Sequence, residues 1–404
     1  MDMQMNQTVR QGTKPAGSIM AAVLSLTLGT FAFGMTEFVI MGLLTNVAQD
    51  LNISIASAGQ LITGYALGVA IGGPVMTVLT LRMPRKQLLC ALLVIFIAGN
   101  ALAALAPSYS VLMLARVLTS LAHGTFFGVS SVIAAGLVSP EKRASAIALM
   151  YTGLTVANIV GVPLGTYIGQ QFGWNSTFSI VAVLGLLVVA GIILFVPKVP
   201  HNRKVSIGKE LKIFGNRQVL LAFFVTVFGF GGVFTAFTYI DPLLQEITGF
   251  NEQYVTGILI LFGIGMTVGN LVGGKLADWR LMPSLMACLA FLAVMLFIFF
   301  FAVDNKVLSV ITIFIWGMAS FLIVPGLQMR IMDMAKDAPT MASTANQSAF
   351  NLGNAGGAII GGLAVNGIGL HHVPWIAAIV TLGGLVLTAI SYRMEQKQSR
   401  ETTA

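Results

Sequence analysis

Residues 174–196 read WNSTFSIVAVLGLLVVAGIILFV, and this stretch carries no charged side chain. A helix rises about 1.5 Å per residue, so about 20 apolar residues cross the hydrocarbon core of a bilayer. The stretch therefore predicts a membrane-spanning helix. Similar runs recur along the chain and predict twelve spans, near residues 18–44, 57–80, 87–106, 110–137, 144–168, 175–196, 218–241, 254–276, 282–302, 307–332, 341–366 and 373–393.

The composition agrees with a chain that is mostly surrounded by lipid. Of its 404 residues, 56% are hydrophobic and 9% are charged, whereas about 25% are charged in an average soluble domain. The net charge is +8, but the basic residues lie in short clusters between apolar runs. That arrangement is typical of membrane topology and does not indicate a nucleic-acid partner.

The charge distribution also predicts the orientation. Lysine and arginine gather in alternate loops and in both tails, while the remaining loops hold only Lys306. Cytoplasmic loops carry the excess of basic residues, so both termini are expected in the cytoplasm. The predicted organisation is a tail at 1–17, a six-helix bundle at 18–196, a cytoplasmic linker at 197–217, a second six-helix bundle at 218–393 and a tail at 394–404. The first apolar run is far longer than the core of a signal peptide and is interpreted as the first span.

The two halves look like repeats. Ala144-Ser145 opens the fifth span and Ala342-Ser343 opens the eleventh, roughly 200 residues later. Glycines at four-residue spacing follow in both, and similar ladders occupy the second and eighth spans. Small residues at this spacing let helix backbones approach closely in lipid. The ladders indicate either static packing or a contact along which the halves move, and their paired occurrence favours the second interpretation.

Several motifs resemble a known family. The run Gly161-Val162-Pro163-Leu164-Gly165, the segment Thr36-Glu37-Phe38, and Arg116 followed by His123-Gly124 resemble the major facilitator superfamily, in its drug:proton antiporter branch. The resemblance covers essentially the whole chain. It implies an all-α fold of two pseudo-symmetric six-helix bundles, a central cavity lined by spans one, four, seven and ten, a functional monomer, and a place in the bacterial cytoplasmic (inner) membrane. It also implies that Gly161, Pro163 and Gly165 take part in conformational change.

The inner-loop signature of that family is divided between two loops. Gly274 to Arg280 keeps the acidic residue as Asp278, whereas the loop after the second span keeps only Arg82, Arg85 and Lys86, with Leu81 in place of the acid. In the family this acid latches one conformation. An aspartate at a helix end can pair with a neighbouring arginine or with a helix dipole. We therefore assign the latch to Asp278, with Arg280, Arg82, Arg85 and Lys86 as further gating residues.

Glu37 lies about two-thirds of the way across the first span. Ionisable residues inside a membrane are costly and mark function by default. Such a carboxyl can take up a proton on one side and release it on the other, and Arg116, expected at similar depth, could hold it ionised or bind it between protonation events. The alternative is a structural hydrogen bond between helices. Asp241, at the outer end of the seventh span, is a further proton-site candidate or an interfacial acid.

Candidate substrate contacts are apolar and polar side chains on the predicted cavity-lining helices. An aromatic and methionine-rich cavity suits apolar or amphipathic molecules, although the same residue types also pack against lipid and other helices. For His123 a structural hydrogen bond is the competing role. The candidates are Met35, Met41, His123, Phe126, Phe127, Asn158, Phe234, Phe237, Tyr239, Gln347, Asn351 and Asn354.

The sequence contains no phosphate-binding loop and no catalytic or metal-ligand spacing, so we expect neither an enzyme nor a cofactor or metal. The predicted function is efflux of a small organic substrate by alternating access, in exchange for protons. A proton-independent facilitator, an importer of a sugar, nucleoside or other metabolite, and a non-transporting membrane receptor remain as alternatives. Fold does not identify the substrate.

Overall fold

The computed structural model describes residues 16–198 and 207–403, and these ranges are helical throughout, with short connections and no strand. Most of the predicted N-terminal tail, the centre of the predicted linker and the last residue lie outside the described residues. The predicted all-α class is confirmed. Lipid offers no partner for a free backbone N–H or C=O group, so a chain of this composition must satisfy these groups within helices.

The first half of the chain, residues 16–198, forms six spans. Two of them are interrupted: the first continues through a 3₁₀ segment, Val39–Leu43, and the fifth contains a π-helical segment, Ala157–Gly161. The helices are α1 (Ala16–Phe38, extended by Leu44–Asp50), α2 (Ile55–Thr80), α3 (Arg85–Ala104), α4 (Tyr109–Gly136), α5 (Arg143–Val156 and Val162–Phe172) and α6 (Trp174–Phe195).

The second half, residues 207–403, repeats the pattern after a short helix, Ile207–Leu211. One continuous stretch, Glu252–Ala302, contains two spans, because Arg280 has non-helical φ and ψ and Pro283 follows it. The helices are α7 (Arg217–Phe237), α8 and α9 (the arms of Glu252–Ala302 before and after Arg280), α10 (Lys306–Leu322 and Val324–Met334), α11 (Pro339–Gly367) and α12 (Val373–Thr403).

Ten helices of the described chain are long and apolar enough to cross a membrane. The kinked helix supplies two of the twelve predicted spans. The remaining predicted span is α11, which has 29 residues but is more polar because it carries several asparagines and one glutamine. Large apolar side chains on the outside of the bundle are exposed, as on α6, where Leu194 is 72% exposed. A continuous apolar exterior marks a surface that faces lipid.

The two halves meet near one end of the bundle. We call this the basic end; it is formed by residues 81–84, 137–142, 278–283 and 335–338. Hydrogen bonds between the halves in the described chain lie between the middle of the helices and this end. Examples are Ser348 to the carbonyl of Ala70, at 2.7 Å, and Thr267 to Thr155, at 2.8 Å. The bundle is therefore closed at its basic end.

The glycine ladders pack within each half and do not form the contact between halves. The α2 ladder lies against α4 and the α5 ladder against α1, where Gly165 meets Met35. The α8 ladder lies against α10 and the α11 ladder against α7, where Gly353 meets Gly231. The ladder glycines thus pack statically within each half. The four helices that carry them nevertheless form the contact between the halves, since α11 packs against α2 and α8 packs against α5, and movement along this contact remains a prediction.

The same contacts strengthen the evidence for a repeat. The partners of the ladders correspond between halves, since α2 with α4 matches α8 with α10, and α5 with α1 matches α11 with α7. Two turns correspond as well: Gly173 ends α5 with φ of 87° and Gly369 follows α11 with φ of 98°. Glycine adopts these positive angles without the steric cost that other residues incur.

Two adjacent glycines of α11 test the packing role. A Cβ added at Gly357 would meet the backbone of Gly231 and Thr235, whereas one added at Gly356 meets nothing within 4 Å. We expect Gly357→Ala to destabilise the protein by about 1–3 kcal/mol through overpacking. Gly356→Ala should be neutral or slightly stabilising, since alanine favours helix by up to about 1 kcal/mol. Apparent melting temperatures in detergent measure both; equal temperatures for the two variants would contradict the packing role.

Candidate functional site

The first span loses regular α-helical geometry beside Glu37. The α-helix ends at Phe38 and a 3₁₀ segment follows. Arg116 of α4 donates from Nη1 to the carbonyl oxygen of Thr36, at 2.5 Å, and from Nη2 to that of Glu37, at 3.3 Å. The guanidinium is thus bound to backbone oxygens at the break. A side chain inserted at such a point satisfies carbonyl groups that a distorted helix would leave without partners.

Glu37, Tyr65, Arg116 and His123 come together in a group that we call the acid cluster. The Oε2 atom of Glu37 lies 3.9 Å from Nδ1 of His123, and the Glu37 side chain is 15% exposed. The same Nδ1 lies 3.0 Å from the hydroxyl oxygen of Tyr65. The guanidinium of Arg116 lies 4.1 Å from the centre of the Tyr65 ring, within the range of a cation–π interaction. Arg116 is near Glu37 as predicted, but its described hydrogen bonds go to carbonyls and not to the carboxylate.

Buried aromatic rings surround the acid cluster. His123 stacks on Phe127, with ring centres 4.6 Å apart and planes 23° apart, and Phe33 contacts His123, Phe126 and Phe127. Phe126 and Phe127 are almost completely buried. In this conformation they pack around the acid cluster and are not on an open surface, so a direct substrate contact by either remains a prediction.

The two methionines that flank Glu37 have different surroundings. Met35 is buried, and both Gly161 and Gly165 of α5 pack against it. Met41, in the 3₁₀ segment, is 47% exposed. Pro163 lies just after the π-helical segment. Asn158 lies within that segment, and its side-chain amide donates to the carbonyl of Leu154 at 3.0 Å. The predicted gating residues of α5 thus adjoin the first span, and their role in movement remains a prediction.

The candidates on α7 and beyond it lie in the second half. Phe237 stacks on Phe262 at 4.8 Å and also contacts Phe234. Tyr239 donates its hydroxyl to the carbonyl of Ala358 on α11 at 3.0 Å. Asp241 is exposed and accepts hydrogen bonds from Gln245, at 2.9 and 3.0 Å. The structure places Asp241 in the other half from Glu37, and its part in proton coupling remains a prediction.

The polar series of α11 faces the first half. Gln347 donates to the hydroxyl of Tyr151 on α5. One turn later, the amide nitrogen of Asn351 donates to the carbonyl of Gln347 at 3.0 Å. The Oδ1 atoms of Asn351 and Asn354 are buried and have no partner in the described chain. Buried polar atoms without partners are uncommon in native proteins, so both asparagines remain candidates for contact with a substrate or water.

A buried hydrogen-bond network near the basic end was not predicted from the sequence. Asn346 bonds to Thr226 and to Gln328, Gln328 donates to Ser343, and Ser343 donates to the carbonyl of Gly128 in the first half. The sequence feature that could have indicated this network is the presence of Gln328 and Asn346 in membrane spans, since polar side chains there require partners. The network joins α7, α10 and α11 to α4.

Asp278, the predicted latch residue, makes a contact between the halves. The carboxylate of Asp278 accepts hydrogen bonds from the backbone N–H groups of Ala144, at 2.7 Å, and Ser145, at 2.9 Å. These groups belong to the first turn of α5, where the helix has free donors and a positive dipole end. Of the two sequence options, helix dipole or neighbouring arginine, the structure shows the helix dipole. In the repeat-related position, where the first half has Leu81, Ser343 bonds to Gly128 instead.

The predicted basic gating residues do not pair with Asp278 in the described contacts. Arg280 lies over the ring of Trp279 at 5.2 Å, Arg82 is exposed, and Lys86 donates to the carbonyl of Ile193 at 2.8 Å. Arg85 lies near Glu210 of the short connecting helix. Burial raises the pKa of the Glu210 carboxyl, and the positive charge of Arg85 partly offsets this. Among the residues that the structure describes, no three His, Cys, Asp or Glu side chains are grouped so as to hold a metal ion.

Comparison with known proteins identifies relatives over nearly the whole chain. The profile of the Major Facilitator Superfamily matches residues 26–355. The Inner membrane transport protein YdhP of Escherichia coli (strain K12) is 44% identical over 92% of this chain and 96% of its own length. The Uncharacterized MFS-type transporter YtbD of Bacillus subtilis (strain 168) is 42% identical over 94% of this chain and 97% of its own length.

Solved structures share the fold at low sequence identity. The fucose:proton symporter FucP of E. coli gives a TM-score of 0.76 at 14% identity, over 93% of this chain and 99% of that one. The human organic anion transporter MFSD10 gives 0.74 at 13% identity, over 93% of this chain and 100% of that one. At these identities the likeness shows the arrangement of helices and not the substrate.

Asp278→Asn tests the latch. The amide keeps an acceptor oxygen but loses the charge that favours the α5 terminus, and hydrogen bonds to charged groups contribute about 1.5–3 kcal/mol. The basic end should therefore open more often. In a background without Cys90 and Cys288, we expect a cysteine placed at buried Ala148 to react with a maleimide roughly 5- to 30-fold faster, the factor for a change of one or two kcal/mol. The exposed acid Asp337 supplies the control, Asp337→Asn, and equal labelling rates in both variants would exclude the latch.

Proposed function

Because the chain belongs to the Major Facilitator Superfamily and is therefore a multi-pass membrane transporter, we propose that it exports a small organic molecule in exchange for protons. We assign it to the drug:proton antiporter branch. The fifth-span motif around Gly161 and Gly165 supports this assignment, since it resembles the motif of the antiporters in that branch. The basic end is the cytoplasmic end in this proposal, as the distribution of lysine and arginine predicts.

The observation that carries proton coupling is the position of Glu37. It is a largely buried acid at the break in α1, and its oxygen lies 3.9 Å from His123. Breaks in membrane helices are costly, and in transporters they occur where substrates and ions bind. A carboxyl at such a point can exchange a proton while the surrounding helices change position. A purely structural acid would be expected to have its oxygens bonded to a neighbouring helix, and the described bonds of Arg116 go to backbone carbonyls instead.

The transport cycle follows from the closed basic end. In the state described here, the Asp278 contact and the Gln347–Tyr151 hydrogen bond hold the halves together at that end. Substrate enters from the cytoplasm or the inner leaflet in the alternative state, in which these contacts are broken. The halves then rock to the present state and release substrate outside. Protonation of Glu37 from the outside favours the return, so one proton moves inward as substrate moves outward.

The side chains near the acid cluster suggest an apolar or amphipathic substrate. Aromatic rings and methionines provide adaptable apolar contacts, while Gln347, Asn351 and Asn354 provide polar ones. An importer or facilitator built on the same scaffold is the second candidate. The fold similarity to a fucose:proton symporter is compatible with it, and its mark would be transport that an uncoupler leaves unchanged or that runs with the proton gradient.

Glu37→Gln tests the coupling. The amide is nearly the same size but cannot carry a proton, so gradient-driven export should fall to the rate seen without a gradient. The measurement is export from proteoliposomes with an imposed pH gradient, using a compound that raises the melting temperature of the purified parent protein. Glu246→Gln is the control, since Glu246 is exposed. Parent-like gradient-driven export by Glu37→Gln would show that the assignment is wrong.

A further inference from the structure

His123 is positioned to carry the same proton as Glu37. One atom of its ring, Nδ1, faces two oxygens: the Tyr65 hydroxyl at 3.0 Å and the Glu37 carboxylate at 3.9 Å. The first distance is that of a hydrogen bond. The second is too long for a hydrogen bond and short enough that a small rotation of the Glu37 side chain would close it. His123 and Tyr65 are both almost completely buried.

We propose that Glu37 and His123 share one transported proton, and that Tyr65 positions the imidazole for the exchange. The inference rests on the proposed proton coupling and adds the second proton carrier. Histidine and glutamate that interact this closely titrate as a pair and not as separate groups. The proton of the pair then has two places to reside, on Nδ1 of His123 or on Oε2 of Glu37.

The exchange balances without any additional reactant. A proton that enters from outside forms an N–H bond at Nδ1 of His123 and gives an imidazolium. That N–H bond then breaks as an O–H bond forms on Oε2 of Glu37, which leaves a neutral imidazole and a neutral carboxylic acid. In the alternative state, the O–H bond of Glu37 breaks as the proton passes to water on the cytoplasmic side, which restores the carboxylate.

Tyr65 can support His123 in both protonation states. Its hydroxyl donates to Nδ1 when the imidazole is neutral and accepts from Nδ1–H when the imidazole is protonated. The close approach of α2 and α4 places it there. Gly64 and Gly68 of α2 lie against Met113 and Ser120 of α4, and Tyr65 projects from the same stretch of α2. The glycine ladder of α2 thus has a consequence for the site, because it sets the distance between the tyrosine and the histidine.

Apart from Glu37 and Tyr65, no described neighbour of His123 is placed to exchange a proton with it. The described contacts of the ring are aromatic, with Phe33 of α1 at 5.4 Å and Phe127 of α4 at 4.6 Å between ring centres. Arg116 is the nearby cation, and its bonds to the carbonyls of Thr36 and Glu37 hold it in place. The next side chains outward are neutral. Thr36 donates a hydrogen bond to Asn100 of α3, and Phe127 contacts the ring of Tyr151 of α5.

An infrared pH titration of the full-length protein tests the proposal without substrate or gradient. The carboxylic C=O band of Glu37 is identified as the band that disappears in Glu37→Gln. In His123→Gln, we expect the titration midpoint of this band to move by about one pH unit or more, because groups that share a proton interact by at least that amount. Tyr65→Phe keeps the ring and loses only the hydroxyl, and we expect it to move the midpoint as well.

His371→Gln is the matched control, since His371 lies in a connecting loop near Asp304 and away from the acid cluster. It should leave the Glu37 band unchanged. If the band titrates in both His123→Gln and Tyr65→Phe as it does in the parent protein, the shared proton is excluded while proton uptake by Glu37 stands. If the parent protein shows no titrating Glu37 band at all, the proposed coupling fails together with this inference.

Discussion

The hydrogen bonds from Arg116 to the first span are the interaction on which the proposed site depends. Inside a bilayer, a helix that departs from regular geometry leaves carbonyl oxygens that water cannot satisfy. Arg116 supplies donors to two of them, at Thr36 and Glu37. Burial of a guanidinium is itself costly, and it is tolerated when its hydrogen bonds are made. The break and the buried cation thus stabilise each other, and together they fix the depth at which Glu37 lies.

The contact between the halves combines close packing with directional hydrogen bonds. Within each bundle, glycines bring backbones together, and many atoms contribute small amounts of attraction. Between the bundles, glycines also bring backbones together, as Gly128 meets Thr344 and Gly274 meets Ser145. Directional contacts are added there: a carboxylate on a helix terminus, an amide on a tyrosine hydroxyl, and serine hydroxyls on carbonyls. Directional contacts of this kind can break and re-form without repacking a bundle, which suits a transporter whose two halves must separate at this end.

The Asp278 contact shows how the repeat has diverged. Asp278 in the second half binds the first turn of α5, while the matching position in the first half is Leu81. The corresponding turn of α11 is held by the Ser343 hydroxyl, through a neutral hydrogen bond. A charged acceptor at a helix terminus is stronger than a neutral bond. The contact of Asp278 on the α8–α5 side thus involves a charged acceptor, and that of Ser343 on the α11–α4 side a neutral one.

The sequence by itself determined the number of spans, the repeat and the presence of an acid at Glu37. Bilayer thickness fixes how many apolar residues a span requires, and a charge inside such a run is conspicuous because it is costly. The family resemblance predicted a latch at Asp278, and the structure places this acid in a contact between the halves. Neighbours were harder to predict. Spacing shows which face of a helix is smooth, as for Gly265 and Gly357, but not which of eleven other helices will cover it.

Only the tertiary structure decided that the ladders pack inside each half, that Arg116 binds backbone carbonyls and not the Glu37 carboxylate, and that Tyr65 and His123 complete the acid cluster. Arg116 and Thr36 are 80 residues apart in the chain, and Tyr65 and His123 are 58 apart; no local pattern records such distances. The physical reason is that lipid determines only how polarity varies with depth in the membrane, which the sequence shows directly. The partner of each polar atom depends instead on how all the helices pack together in three dimensions.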